Sequence, residues 1–187
     1  MKQIAIIGPT GVGKTTTSAL IAKRMGLPLV SLDETRHVFL RETGYDDNYS
    51  NDLKRRDFEA AIRYWEEFNP QVVRRTLESY PTGVFDFGAI HSVYDDPAKL
   101  DQVASLMSVL DDVVYLLPCD DQRKSLDILI ERGREPGMAE AAVAMWRRII
   151  GRFISNTSNR RLSRRVVYTE GRTPADVCEV ILKRWGA

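Results

Sequence analysis

The stretch "QIAIIGPTGVGKTTTSALIAKRMG", Gln3 to Gly26, decides the fold. Gly8, Gly13, Lys14 and Thr15 satisfy G-x-x-x-x-G-K-[ST] without a mismatch. Such a loop cradles phosphates only where it joins a strand to a helix, because the N–H groups of the turn and the helix start must point at one place. The flanks meet that condition. "QIAIIG" is a short β-branched run, as a strand buried on both faces would be. "KTTTSALIAKRMG" reads as a helix with Leu20, Ile21 and Met25 on one side and Gly26 as its stop. The backbone of Gly8, Gly11, Val12, Gly13, Lys14, Thr15 and Thr16 is therefore expected to hold the nucleotide. Lys14 would reach the β- and γ-phosphates, and the Thr15 hydroxyl would sit on Mg²⁺.

Working outward, apolar runs suited to strands fall near residues 3–8, 27–32, 83–88, 112–118 and 165–169, with helical patterns between them. Residues 34–80 read as mostly helical: one helix from Asp33 to Gly44, a polar break at "YDDNYSN", a second from Asp52 to Phe68, and a third from Pro70 to about Tyr80. Residues 131–138, "ERGREPGM", read as a short lid after a helix ending at Arg132, with the next helix running from Met138 to Ile154. Ala142, Met145, Ile149 and Phe153 are expected to face inward on that helix. Strands alternating with helices imply a parallel sheet covered on both faces, so a three-layer α/β/α single domain with five strands is expected. Such sheets bind ligands beyond the carboxyl ends of their strands. The length of 187 residues suits one domain and no second.

The chemistry-bearing residues fall at those strand ends. Asp33 follows the second strand and would hold Mg²⁺ or take the proton of a substrate hydroxyl; a helix N-cap is the plainer alternative. Asp86 ends the third strand as a magnesium ligand of the Walker-B kind. Gly88 would let a substrate approach the backbone, and His91 follows close behind. Arg132 and Arg134 flank Gly133 in a basic loop suited to close over phosphates. Arg148 and Arg152 share one helix face, for which a plain solvated surface is the alternative. Arg172, in "YTEGRTP", would lie against the nucleotide's base.

Composition narrows the partners. The chain carries 27 basic and 26 acidic residues, a net charge of +1, so no broad basic footprint points to nucleic acid. No apolar run approaches bilayer length, and no signal peptide is recognised. Cys119 and Cys178 are too far apart to match metal or redox spacing and read as ordinary thiols of a cytoplasmic protein. A monomer or homodimer is expected.

Taken together, "GPTGVGKT", the acid after strand two, "ERGREPG" and "VVYTEGRTPADVCEVIL" make nearly the whole chain resemble the shikimate-kinase branch of small P-loop kinases. The resemblance implies ATP and Mg²⁺ as cofactors, a small-molecule hydroxyl acceptor, catalysis by Lys14, Asp33 and Arg134, and metal ligation by Thr15, Asp33 and Asp86. It places Asp33, Arg56, Glu59, Gly88, His91 and Arg152 around the acceptor. The acceptor elements depart from the family pattern. "SLDE" has Ser31 where an aspartate stands in D-x-D. "RRDFE" keeps Arg56 and Glu59 but has Arg55 in place of Phe. "DFGAIHS" keeps one glycine of three. Shikimate is therefore not the expected acceptor. A nucleoside or nucleotide kinase, with Tyr64 and Trp65 as a base clamp, remains open, as does an antibiotic phosphotransferase. From another class, a nucleotide-binding regulator with weak ATPase activity also fits.

Overall fold

Ile4 to Ile7 are wholly buried, and the strand that carries them, β1 (Gln3–Ile7), is the centre of the sheet. In the computed structural model, which describes residues 2–185, the five strands are β1, β2 (Leu29–Ser31), β3 (Gly83–Asp86), β4 (Asp112–Leu117) and β5 (Arg165–Tyr168). They run in the order β2-β3-β1-β4-β5, all parallel. Parallel strands need crossovers, and helices supply them. Helix α1 (Lys14–Met25) carries the chain from β1 outward to β2. From β3 it crosses above β1 to β4 through a 3₁₀ turn (Ala89–His91) and α5 (Pro97–Met107). The two crossovers travel in opposite directions, so right-handed connection puts their helices on opposite faces. The same reversal opens a crevice at the carboxyl ends of β1 and β3, where such sheets bind ligands.

Between β2 and β3 the chain builds a helical insert of α2 (Leu32–Leu40), α3 (Asp47–Arg56) and α4 (Phe58–Ser79). Its boundaries differ from those the sequence suggests. The polar stretch at 45–51 is mostly helix, because Asp46 caps α3 by accepting from the N–H groups of Asn48 and Tyr49. The chain breaks instead at Asp57, whose backbone is extended and whose carboxylate caps α4 through Ala60 N–H at 3.0 Å. Arg56 and Glu59 therefore end one helix and begin another rather than sharing a face. At the other end, α4 does not stop before Pro70. Ile62, Trp65, Glu66, Asn69, Val72, Val73 and Thr76 form a continuous buried stripe through it. Burial of that stripe outweighs the hydrogen bond the proline removes. A second, smaller core of Ala61, Ile62 and Trp65 from α4 with Ala89, Val93, Ile149 and Phe153 joins the insert to the rest of the chain, beside the main core around the sheet.

Helix α6 (Gln122–Gly133) runs one residue past Arg132, so the loop before α7 (Glu140–Ser155) covers residues 134–139. Ile149, Ile150, Phe153 and Ile154 are buried on α7, whereas Met145 and Trp146 are exposed. The expected inward placement of Met145 fails because the first half of α7 turns Val143 rather than Met145 against the core. Helix α8 (Ser158–Leu162) leads into β5, and α9 (Pro174–Leu182) packs on α1.

Candidate phosphate and acceptor site

The loop between β1 and α1 is shaped by glycines with positive φ. Gly8 at φ 146°, Gly11 at 81° and Gly13 at 98° turn the backbone in ways a side chain resists. At Gly8 space is decisive as well, since a Cβ there would lie 2.5 Å from the Leu116 carbonyl oxygen of β4. Val12 is buried beneath the loop, anchoring it, while Thr15 and Thr16 open to solvent at the start of α1.

Lys14 is buried and donates to the Pro9 carbonyl at 3.0 Å. Burial lowers its pKa, and the charges of Asp86 and Asp33 oppose that shift. A buried ammonium held by one carbonyl is electrostatically under-partnered. Next to it, the Thr15 hydroxyl donates to Asp86 Oδ2 at 2.7 Å, while Asp86 Oδ1 is buried with no partner. Burial raises the Asp86 pKa, with Thr15 and Lys14 pulling the other way. A hydroxyl and an orphaned carboxylate oxygen form a fitting donor pair for Mg²⁺, which commonly takes one or two protein carboxylates and completes its shell with water and phosphate oxygens. Among the described residues no group of three or more His, Cys, Asp or Glu could hold a metal without such help.

Asp33 lies across the same cavity, of about 350 Å³, from Lys14, Thr15 and Asp86. It is the second residue of α2, and the cap belongs to Ser31, whose Oγ accepts from Glu34 N–H at 3.4 Å. The capping alternative for Asp33 is thus taken by a neighbour, and its side chain is 61% exposed toward the cavity. A Cβ placed on Gly88 would land on the Asp33 carboxylate, against both of its oxygens. Gly88 is glycine at this point for space, its φ of −55° being open to any residue. His91 is wholly buried with its Nδ1 3.7 Å from Asp33 Oδ1. Burial, assisted by the charges of Arg36 and Lys14, pushes its pKa down to about 3, so it is neutral.

The other expected residues divide by location. Arg132 and Arg172 line a second cavity on the far side of the loop, with Gly11, Gly13, Thr169 and Pro174. Arg172 donates to the Tyr168 carbonyl at 2.8 Å, and the buried Thr169 hydroxyl there has no partner. Arg134 borders an apolar pocket beside Thr10 and Gly11, its guanidinium 2.7 Å from Glu140. Four of the expected acceptor residues do not line the central cavity: His91, buried behind Asp33, and three that are paired elsewhere. Arg56 is exposed and paired with Asp52 one turn back; Glu59 is paired with Arg148 of α7. Arg152 is no free surface charge: it binds Asp95 at 2.6 Å and lies 3.9 Å from the buried Glu66. The proposed aromatic clamp is also engaged internally. Trp65 is buried and donates to Ser50 Oγ at 2.8 Å, and Tyr64 packs among Tyr45, Tyr49 and Phe68.

Sequence reading missed Arg36. It stands one turn after Asp33 on α2, lies 5.4 Å from the centre of the Trp65 ring, and has a buried, unpartnered Nε. The i, i+3 spacing from Asp33 was the available signal.

The comparisons with known proteins come from three directions. A family model described as isopentenyl transferase matches residues 1–54. The ATP-dependent protease ATPase subunits HslU of Halalkalibacterium halodurans and ClpY of Bacillus pumilus are 34% and 36% identical over 77 residues. Each match covers 41% of this chain and 16% of the relative's length. Among solved structures, the shikimate kinase of Acinetobacter baumannii in complex with shikimate aligns with a TM-score of 0.65 and 16% identity, covering 99% of this chain and 93% of that one. The shikimate kinase of Bacteroides thetaiotaomicron aligns at 0.60 and 12% identity, covering 100% and 99%. A gluconokinase from Sinorhizobium meliloti aligns at 0.50 and 14% identity, covering 98% and 93%. The chain has the fold of the small P-loop kinases, and at these identities the likeness is one of fold.

Proposed function

We propose that the protein is an ATP- and Mg²⁺-dependent kinase that moves the γ-phosphoryl group to a hydroxyl of a small molecule other than shikimate. The observation that carries this reading is the convergence of Lys14, Thr15, Asp86 and Asp33 on one cavity at the carboxyl ends of the strands. A phosphate-binding lysine, a hydroxyl–carboxylate pair suited to a cation, and a carboxylate open to a second substrate are the parts that phosphoryl transfer needs.

In this reading the loop N–H groups hold the β- and γ-phosphates, and Lys14 exchanges the Pro9 carbonyl for a phosphate oxygen. Thr15 and Asp86 would hold Mg²⁺, which when bound neutralises phosphate charge. Asp33 accepts the proton of the acceptor hydroxyl as that oxygen forms its bond to phosphorus and the bond to ADP breaks. The base of ATP occupies the cavity lined by Arg132, Arg172 and Thr169. Arg134 exchanges Glu140 for phosphate as the lid closes, excluding water. That the acceptor is not shikimate is supported by the engagement of Arg56 with Asp52 and of Glu59 with Arg148. The apolar and cationic partners of Tyr64 and Trp65 weigh against a nucleobase clamp there.

One pair of observations favours a second reading. The match to the isopentenyl transferase model spans the loop and Asp33, and an apolar pocket of Leu129, Ile130, Val143, Trp146 and Ile150 adjoins Thr10 and Gly11. A short apolar group activated as a diphosphate ester would use the same loop for its phosphates. ADP and diphosphate release, measured with MgATP and a panel of hydroxylated metabolites including shikimate at millimolar concentration, separates the readings. The kinase reading expects ADP release that depends on at least one member of the panel other than shikimate. Diphosphate release that appears only when a prenyl diphosphate is added to the same mixture supports the second. Slow hydrolysis indifferent to every addition would mark a nucleotide-binding regulator and overturn both.

A further inference from the structure

His91 is a titratable side chain buried behind Asp33, outside the cavity lining, that the proposed chemistry leaves without work. It is wholly buried, and among the described residues both ring nitrogens lack a hydrogen-bond partner. A neutral imidazole carries one N–H donor and one acceptor nitrogen. Burying such a donor unpaired is unfavourable, so native structures rarely leave one without an acceptor. The nearest carboxylate is Asp33, whose Oδ1 is 3.7 Å from Nδ1, just beyond hydrogen-bond reach.

The surroundings decide which partner moves. The turn carrying His91 is pinned at two carbonyls. Asn69 Nδ2 of α4 donates to Ile90 O at 2.6 Å, and the buried Tyr94 hydroxyl donates to His91 O at 2.9 Å. Tyr94 is itself tied to α8, its N–H donating to Ser158 Oγ at 3.1 Å. The imidazole therefore has a fixed seat. Asp33 is 61% exposed, on the first turn of its helix, and Gly88 leaves its carboxylate room against the turn backbone. Hydrogen bonds within catalytic constellations are often long in the unliganded protein and tighten when substrates bind.

We infer that His91 is a positioning residue for Asp33: its Nδ1–H points at Oδ1 and fixes the carboxylate so that Oδ2 faces the acceptor hydroxyl. The inference rests on the assignment of Asp33 as the group that accepts the hydroxyl proton. It gives the "DFGAIHS" segment one task, with Gly88 providing the space for the carboxylate and His91 providing its orientation. His91 does not itself touch the acceptor, because the Asp33 carboxylate lies between it and the cavity.

The test separates this inference from the kinase reading, because its first arm needs no turnover. The chain has two histidines, and His37 is exposed, so ¹⁵N-histidine labelling gives one signal for each kind of site. Ring-nitrogen shifts should show His91 in the Nδ1–H tautomer, and Asp33→Ala should alter that pattern while leaving His37 unchanged. An exposed Asp33 makes this variant safe for folding. An Nε2–H tautomer, or a pattern unaffected by Asp33→Ala, overturns the inference whatever the protein's activity. The second arm measures MgATP turnover with water as the acceptor. His91→Asn keeps a donor near the Nδ1 position and should retain kcat within about threefold. His91→Leu should lose about tenfold in kcat with KM for ATP unchanged, as for a group that orients a base. Equal turnover by the folded Asn and Leu variants also overturns the inference.

Discussion

The two halves of the site are built differently. On the nucleotide side, recognition is assigned to backbone N–H groups, one lysine and one hydroxyl–carboxylate pair, all carried by β1, α1 and β3. On the acceptor side, the helical insert, α7 and the loop before α5 offer charged and aromatic side chains, and several have found one another. Arg56 holds Asp52, Glu59 holds Arg148, Arg152 holds Asp95, and Trp65 holds Ser50. A backbone cradle cannot pair with itself without unmaking the loop, so it stays open for its ligand. Side chains can pair with one another, within a helix as Arg56 does with Asp52 or between helices as Glu59 does with Arg148, and a paired side chain is less available to a ligand. Asp33 and Gly88 are the acceptor-side residues that line the cavity, with His91 buried behind Asp33.

The largest test of this contrast is Lys14→Ala. Among the described residues its ammonium has no ion-pair partner and is held by one carbonyl, so the fold gains little from its charge. Phosphoryl transfer should fall by about 10³-fold or more, roughly 4 kcal/mol of transition-state stabilisation, with weakened ATP binding. The melting temperature should stay level or rise, because a buried charge is removed. Turnover assays and thermal unfolding check both halves. Wild-type-like turnover would remove the loop from the chemistry.

Asp33→Asn should come next, lowering turnover by about 10²-fold while leaving ATP affinity nearly intact. Since Ser31 supplies the cap, stability should change by no more than a few tenths of a kcal/mol from the lost first-turn charge. Titration calorimetry with a non-hydrolysable ATP analogue, set beside kcat, gives the comparison. A silent variant would mean that the cavity's open carboxylate has no part in transfer.

What the sequence made legible follows the same division. Gly8, Gly13, Lys14 and Thr15 announce themselves because a phosphate loop needs fixed spacing within eight residues of one segment. Asp86 was legible as an acid ending an apolar run. The sheet was legible too, since Ile4 to Ile7 and Val113 to Leu117 are buried on both faces and read as unbroken apolar runs. The insert was not. Its register turns on Asp57, one capping residue inside a stretch whose propensity is helical throughout, and on Pro70, whose local penalty is overridden by a buried stripe that only the tertiary structure reveals. The pairing of Glu59 with Arg148 spans two helices far apart in sequence, and no local pattern announces it.

Gly88→Ala tests whether space beside Asp33 matters, with a smaller effect. The backbone angles suit alanine, so the strain falls on the Asp33 carboxylate, the free end of a mobile side chain. Stability should hold or improve by up to about 1 kcal/mol through the unfolded chain. Turnover should fall about tenfold as the carboxylate is pushed aside, with ATP affinity unchanged. A drop in the melting temperature without a change in kcat would show that Gly88 serves the fold and not the carboxylate.

The smallest expected effect is at Arg56, and it bears most directly on the contrast between the halves. In the resemblance to shikimate kinases this arginine belongs to the acceptor element; in the structure it is exposed at the end of α3 and paired with Asp52 within the same helix. An exposed i, i+4 pair contributes about 0.3–0.5 kcal/mol, because water and salt screen it and two long side chains must be held still. Arg56→Ala should therefore leave the melting temperature within about 2 °C of wild type and acceptor-dependent turnover within about twofold. An arginine that binds an acceptor anion in the transition state would behave otherwise, costing tenfold or more in kcat/KM for the acceptor. Measuring kcat/KM against whichever metabolite supports ADP release distinguishes the two. A large loss confined to the acceptor would mean that Arg56 leaves Asp52 when substrate binds, so that the insert's ion pairs are the resting state of a binding site rather than its replacement.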